Sequence, residues 1–170
     1  MERVAVIGNS GGGKSRLARA IAARRGLPYT EVDALLWRPG WRLAEVAAYE
    51  AAHDEAIAAP RWVIDGLGRR ETIGARLARA TEIVLIDLPL ALHLRFAEER
   101  HRAWEAGTLA HPPGGLTEAP PLQALLRTIG EVDRAWMPDI RRQAEAALGR
   151  GTPVRRITSI AGLDAALRSG

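Results

Sequence analysis

One octapeptide limits the possible fold more than any other part of the chain. Gly8-Asn9-Ser10-Gly11-Gly12-Gly13-Lys14-Ser15 satisfies G-x-x-x-x-G-K-[ST] at each fixed position. It follows a short β-branched run, Val4 to Ile7, and opens a segment of helical periodicity, Ser15 to Arg25. In that segment Leu17, Ala18, Ile21 and Ala22 share one face, and Gly26 stops it. Glycines let a backbone wrap a phosphate chain with its N–H groups turned inward, and the helix start adds partial positive charge. Lys14 supplies a compact cation for β- and γ-phosphates, and Ser15 a hydroxyl for Mg²⁺, a hard ion that prefers oxygen. A turn that only joined strand to helix would need none of these residues. The nucleotide-phosphate site is therefore assigned to Gly8, Asn9, Ser10, Gly11, Gly12, Gly13, Lys14, Ser15 and Arg16, with ATP and Mg²⁺ as the expected ligands.

Composition sharpens this reading. Of 24 basic side chains all but one are arginine, and the single lysine is Lys14. A chain that replaces lysine elsewhere keeps it where a point charge fits and a wide guanidinium fork does not. No G-x-G-x-x-G follows the first strand, which disfavours a dinucleotide fold.

The rest of the chain alternates in the same way. Strands are expected at Pro28 to Val32, Trp62 to Ile64, Ile83 to Ile86 and Val154 to Ile157. Helices are expected at Leu43 to Ala59, Leu90 to Ala106, Leu122 to Leu148 with a break at Pro138, and Ile160 to Leu167. Trp37 to Trp41 and the Pro/Gly-rich Gly107 to Pro121 read as loops. Strand–helix alternation implies right-handed crossovers and a parallel sheet covered on both faces. The expected architecture is one α/β domain over residues 1–170: three layers, five parallel strands, helices on both faces. A lid-like or acceptor-side insertion is expected at about 100–121.

With 170 residues the chain has one domain's length, and its 47% hydrophobic and 26% charged residues are ordinary for a globular protein. There is no cysteine, hence no disulfide, thiolate metal site or cysteine nucleophile. No apolar run is long enough to span a membrane and the N-terminus lacks a signal-peptide pattern, so a cytoplasmic location is expected. The net charge is only +4 and no block of like charges occurs, which argues against a nucleic-acid partner. The sequence carries no signal for oligomeric state, and none that separates ATP from GTP.

Several nucleotide-binding classes are excluded by single residues. Asn9 is the only asparagine and Lys14 the only lysine, so no Asn-Lys-x-Asp base-reading motif exists, and no Ser-Gly-Gly-Gln signature is present. Trp62-Val63-Ile64-Asp65-Gly66-Leu67-Gly68-Arg69 resembles the Asp-Gly-Phe-Pro-Arg segment of adenylate kinases. Ile83-Val84-Leu85-Ile86-Asp87-Leu88-Pro89 resembles the segment before their lid helix. With Glu31-Val32-Asp33 and Trp37-Arg38-Pro39-Gly40-Trp41, the layout is similar to small bacterial adenylate-kinase-like P-loop kinases, a group sometimes labelled DNA topology modulation proteins. The likeness covers about residues 3 to 105. It implies a P-loop NTPase fold and an ATP phosphotransferase acting on a nucleotide or another small acceptor. It also implies that Asp65 is the residue organising Mg²⁺ with Ser15, and that Arg100 acts as a lid arginine. Asp87 is the rival metal residue, with helix capping before Leu88-Pro89 as its favoured role. The alternative is a nucleic-acid-associated or regulatory NTPase without small-molecule kinase activity.

Asp33 is expected at the end of the second strand, facing the crevice at the carboxyl ends of the sheet, where a carboxylate can orient an acceptor hydroxyl. Arg69 can grip a phosphate or carboxylate through two parallel hydrogen bonds. Trp37 and Trp41 either line an acceptor pocket or pack their loop down. The expected site is thus Lys14, Asp33 and Arg100 as catalytic groups, with Asp33, Trp37, Trp41 and Arg69 around the acceptor. Arg95 and Arg102 read as a solvated helix face balanced by Glu98, Glu99 and Glu105.

Overall fold

Runs of three or four apolar residues, too continuous for a half-exposed sheet, become the central strands of the computed structural model, which describes residues 1–169. The strands are β1 (Glu2–Gly8), β2 (Tyr29–Glu31), β3 (Trp37–Arg38), β4 (Arg42–Leu43), β5 (Arg61–Asp65), β6 (Glu82–Ile86) and β7 (Val154–Ile157). Five of them form one parallel sheet in the order β2-β5-β1-β6-β7, and β3 pairs with β4 in a separate antiparallel hairpin. Register brings Asp65 beside Val6 on one side and Glu31 on the other. The carboxyl ends of β1, β2 and β5 therefore lie level, and ligands of open α/β sheets bind beyond that edge.

The helices are α1 (Lys14–Arg25), α2 (Val32–Leu36), α3 (Val46–Ala58), α4 (Arg70–Arg79), α5 (Leu90–Glu105), α6 (Leu122–Ala135), α7 (Met137–Gly149) and α8 (Ile160–Ser169). Alternating strand residues divide the core in two. Ala5, Ile7, Trp62, Ile64, Ile83 and Leu85 pack with α3, α4 and α7. Val4, Val6, Val63, Val84 and Ile86 pack with α1 and α8 on the other face. The three-layer arrangement with helices on both faces is the one expected. Leu17 on α1 and Ile73 on α4 are almost fully enclosed, and truncating either to alanine costs about 2–5 kcal/mol by cavity formation.

Local corrections have simple causes. The second strand ends at Glu31, because Val32 and Leu36 stand one helical turn apart and both enter the core only if the chain coils there. Asp33 therefore sits in the first turn of α2, not on a strand end. Trp37 to Trp41 belongs to the β3–β4 hairpin rather than an irregular loop, with Gly40 and Trp41 at positive φ of 76° and 57° in its turn. That hairpin takes Leu43, so α3 starts at Val46. Helix α4 was not anticipated; it buries Ile73 and Leu77, again one turn apart. The break in the long C-terminal helix falls at Trp136, and Pro138 sits in the first turn of α7, where its missing N–H costs nothing. Among the described residues no helix is long and apolar enough to cross a membrane.

Candidate active site

The glycine loop leaves β1 through a space that admits no side chain. A Cβ on Gly8 would lie 2.2 Å from the Ile86 carbonyl oxygen, and one on Gly11 2.4 Å from that of His93. Gly13 caps α1 in a left-handed conformation, and Lys14 is the first helical residue. Two buried side chains brace the loop. Asn9 donates from Nδ2 to the Ile129 carbonyl at 2.8 Å and accepts the Ser10 N–H through Oδ1 at 2.8 Å. His93 Nδ1 lies 2.8 Å from the Ser10 carbonyl, which can only accept, so Nδ1 carries the proton. Burial pushes the His93 pKa down, which keeps the ring neutral. The loop is thus preset by α5 and α6, with first-turn amides of α1 free to meet an anion.

Lys14 Nζ donates to the Asn9 carbonyl at 2.7 Å. Burial lowers its pKa, while Asp65 and Asp33 act in the opposite direction. Ser15 Oγ donates to Asp65 Oδ1 at 3.3 Å, and the Tyr29 hydroxyl donates to Asp65 Oδ2 at 2.5 Å. Burial pushes the Asp65 carboxyl up, against the pull of Tyr29 and Lys14. Tyr29 is pushed up as well, by its own burial and by the Asp65 charge, so it stays a donor. Ser15 and Asp65 offer oxygen alone, the donor type Mg²⁺ requires. Among the described residues no three His, Asp or Glu side chains form a protein-only metal cage.

Two cavities adjoin at this edge. One, of about 770 Å³, is lined by the loop residues Gly11, Gly13, Lys14, Ser15 and Arg16, and by Arg19 and Glu31. The other, of about 270 Å³, is lined by Ser10, Asp33, Trp37, Trp41 and Trp104. Arg100 and Pro113 border both. Burial raises the Asp33 pKa, opposed by the charges of Lys14, Arg100 and Arg76. Burial lowers that of Arg100, opposed by Asp33 and Glu31.

The structure therefore brings Asp33, Trp37, Trp41 and Arg100 together around one cavity beside the loop. Arg69 lines neither of these two cavities: it is the N-cap residue of α4, and its Nε faces Glu71 at 3.9 Å. Arg95 and Arg102 pair with Glu99 and Glu98 on the exposed side of α5, at 3.3 and 3.6 Å. Asp87 does not cap α5, whose N-cap is Pro89. Instead it accepts hydrogen bonds from Arg141 and Arg156, which tie β6 to α7 and β7.

Three groups near the site escaped the sequence reading. Tyr29 is an ordinary strand residue until its hydroxyl is found on Asp65. His93 is one of four histidines without metal spacing, and only the fold sets it on the loop. Arg76 lies on the unanticipated α4; it is 1% exposed, donates to the Gly66 and Leu67 carbonyls at 2.8 and 3.1 Å, and has its pKa lowered to about 10 by burial. The alternation of Ile73, Arg76 and Leu77 on one helical face was the available signal.

No protein-family model matches the sequence, and no curated protein matches it either. Solved structures do match. Shikimate kinase from Acinetobacter baumannii, in complex with shikimate, superposes with a TM-score of 0.59 at 13% identity, over 99% of this chain and 90% of that one. A protein of Chloroflexus aurantiacus J-10-fl proposed to be a kinase superposes with a TM-score of 0.55 at 16% identity, over 99% of this chain and 95% of that one. At these identities the likeness is one of fold, and the fold is that of the small P-loop kinases.

Proposed function

We propose that the protein is a Mg-ATP-dependent phosphotransferase that moves the γ-phosphoryl group to the hydroxyl of a small molecule. One observation carries this reading. A phosphate-binding loop with its lysine borders one cavity, a carboxylate borders the next, and Arg100 stands between them. The shared fold with a kinase solved in complex with shikimate supports a small-molecule acceptor.

In this reading the donor phosphates lie in the loop, held by backbone amides and Lys14. Ser15, and Asp65 through water, would hold Mg²⁺, which when bound neutralises charge on the β- and γ-phosphate oxygens. Asp33 accepts the hydrogen of the acceptor hydroxyl and orients its oxygen toward the γ-phosphorus. A bond forms between that oxygen and phosphorus, and the bond from phosphorus to the β–γ bridging oxygen breaks. ADP departs with the electron pair, and the hydroxyl proton passes to Asp33 and then to solvent. Lys14 and Arg100 stabilise charge on the phosphoryl group in flight, so catalysis is positioning plus electrostatics. A nucleoside monophosphate acceptor would need no such carboxylate, and this favours a hydroxyl.

Two variants test the reading. Lys14→Ala should lose about 2–5 kcal/mol of transition-state stabilisation and weaken Mg-ATP binding in calorimetry. Asp33→Asn should keep Mg-ATP binding and lose turnover by about 10²–10⁴-fold, the usual worth of a positioned base. Because the Asp33 pKa is raised, the acidic limb of the kcat/KM profile should lie above the ordinary value of 3.8 and change in Asp33→Asn to the limb that Asp65, also raised, leaves behind. Unchanged ATP affinity and turnover in Lys14→Ala would remove the donor site from the proposal.

A further inference from the structure

The cavity beside Asp33 has an unusual wall for a site that handles hydroxyl groups. Three tryptophans form a continuous run: Trp37 and Trp41 meet edge to face with centroids 5.3 Å apart, and Trp41 and Trp104 follow at 5.7 Å. Two of the three have their polar edges engaged. Trp41 Nε1 donates to the Glu118 carbonyl at 2.9 Å, and Trp104 Nε1 to the Thr117 carbonyl at 3.3 Å. His101 Nε2 donates to the Pro120 carbonyl at 2.8 Å, since a carbonyl can only accept. These bonds strap residues 117–120 across the cavity, and its wall is mostly apolar surface, with Ser10, Thr128, Asp33, Arg100 and His101 as the polar exceptions. Trp41 holds a positive φ of 57°, which a bulky residue adopts only when its surroundings impose it.

We infer that the acceptor is an uncharged alcohol borne on a flat apolar or heteroaromatic ring, stacked on the tryptophan wall with its hydroxyl at Asp33. This rests on the phosphotransferase reading above and narrows it. A ring gains dispersion and quadrupole contacts on such a wall. Beyond Asp33 and Arg100 the lining offers chiefly the Ser10 and Thr128 hydroxyls, so a polyhydroxy acid would press its remaining hydroxyls against ring surface that cannot pair them, and each unpaired polar group is penalised. Its carboxylate would find one cation on the wall, Arg100, which already faces Asp33 and the donor cavity.

The experiment compares four acceptors with labelled Mg-ATP: a hydroxymethyl arene, deoxythymidine, shikimate and gluconate, with binding measured separately by calorimetry. The ring-bearing alcohols should bind and be phosphorylated at least about tenfold better in kcat/KM than the two acids. The first two compounds also separate a simple arene from a nucleoside. Trp41→Gly removes one ring at a backbone position that glycine favours, so the hairpin turn is retained. It should raise KM for the ring alcohol about tenfold while Mg-ATP affinity stays unchanged. Preferred phosphorylation of shikimate or gluconate overturns the inference and leaves the kinase reading intact. Binding of ring alcohols without phosphoryl transfer does the reverse. No binding of either ring alcohol, or a KM indifferent to Trp41→Gly, also overturns the inference.

Discussion

Asp87→Asn is expected to lower stability without touching the chemistry. The carboxylate is 5% exposed at its side chain and accepts from two guanidinium groups: Arg141 Nη2 at 2.8 Å and Arg156 Nη2 at 2.6 Å. Asparagine keeps one acceptor oxygen but loses the charge, which leaves two cations facing a neutral amide. Breaking a fully buried ion pair costs about 3–5 kcal/mol, whereas an exposed one costs about 0–1 kcal/mol. Arg141 and Arg156 are 32% and 50% exposed, so solvent screens part of the loss, and about 2 kcal/mol is expected. For a chain of this size that lowers Tm by about 4–8 °C. The two arginines hold the Asp87 pKa below its ordinary value of 3.8 against the effect of burial. A folded pKa that is depressed gives stability present above the unfolded value and lost as pH falls through the folded one. The gap between wild type and Asp87→Asn should therefore be full at pH 7 and close below pH 3.8. Calorimetric scans across pH, with Mg-ATP binding as the control, read this directly. A Tm change under 1 °C at neutral pH, or a gap that persists in acid, would refute the ion-pair reasoning.

Tyr29→Phe should keep the fold and raise the Mg²⁺ concentration for half-maximal turnover by about 10–100-fold, the usual effect of losing a group that orients a metal ligand. Asp65→Asn should do more, and if Tyr29→Phe leaves the magnesium titration unmoved, the Tyr29–Asp65 bond has no role in metal binding. Acid sensitivity should start near pH 6.5. His53 is buried with Nδ1 3.8 Å from Asp54 Oδ1, and burial with the Arg76 charge holds its pKa below 6.5 against the pull of Asp54, so the unfolded chain binds the proton first. Its stabilisation is complete above pH 6.5 and is lost as pH falls toward the folded value. His53→Phe should flatten that limb in urea titrations; an unchanged pH slope would contradict it.

The parts legible in the sequence were those fixed by local rules. The octapeptide at Gly8–Ser15 needs glycine because backbone approaches backbone there, and no tertiary information is required to see it. The strands Trp62 to Ile64 and Ile83 to Ile86 are apolar throughout, because both faces of the sheet are covered. Asp33, Trp37 and Trp41 were legible as types of residue, but their meeting with Arg100 depends on a five-residue helix and a hairpin that a short apolar pattern could not separate from strand and loop. Trp104 was not singled out at all, since a tryptophan on an amphipathic helix reads as core; its partner Trp41 lies far away in sequence. Asp87 was misread because Asp-Leu-Pro is a good local cap, while its actual partners, Arg141 and Arg156, come from distant elements.

Phosphorus NMR of the protein with Mg-ATP and a ring-bearing alcohol tests the central claim most directly, because it follows every phosphorus atom at once. A phosphomonoester resonance growing in step with ADP, abolished by Lys14→Ala and by Asp33→Asn, is the expected result. ATP consumed only to ADP and inorganic phosphate, at a rate indifferent to any small hydroxyl compound, would contradict it and identify the loop as part of a hydrolase.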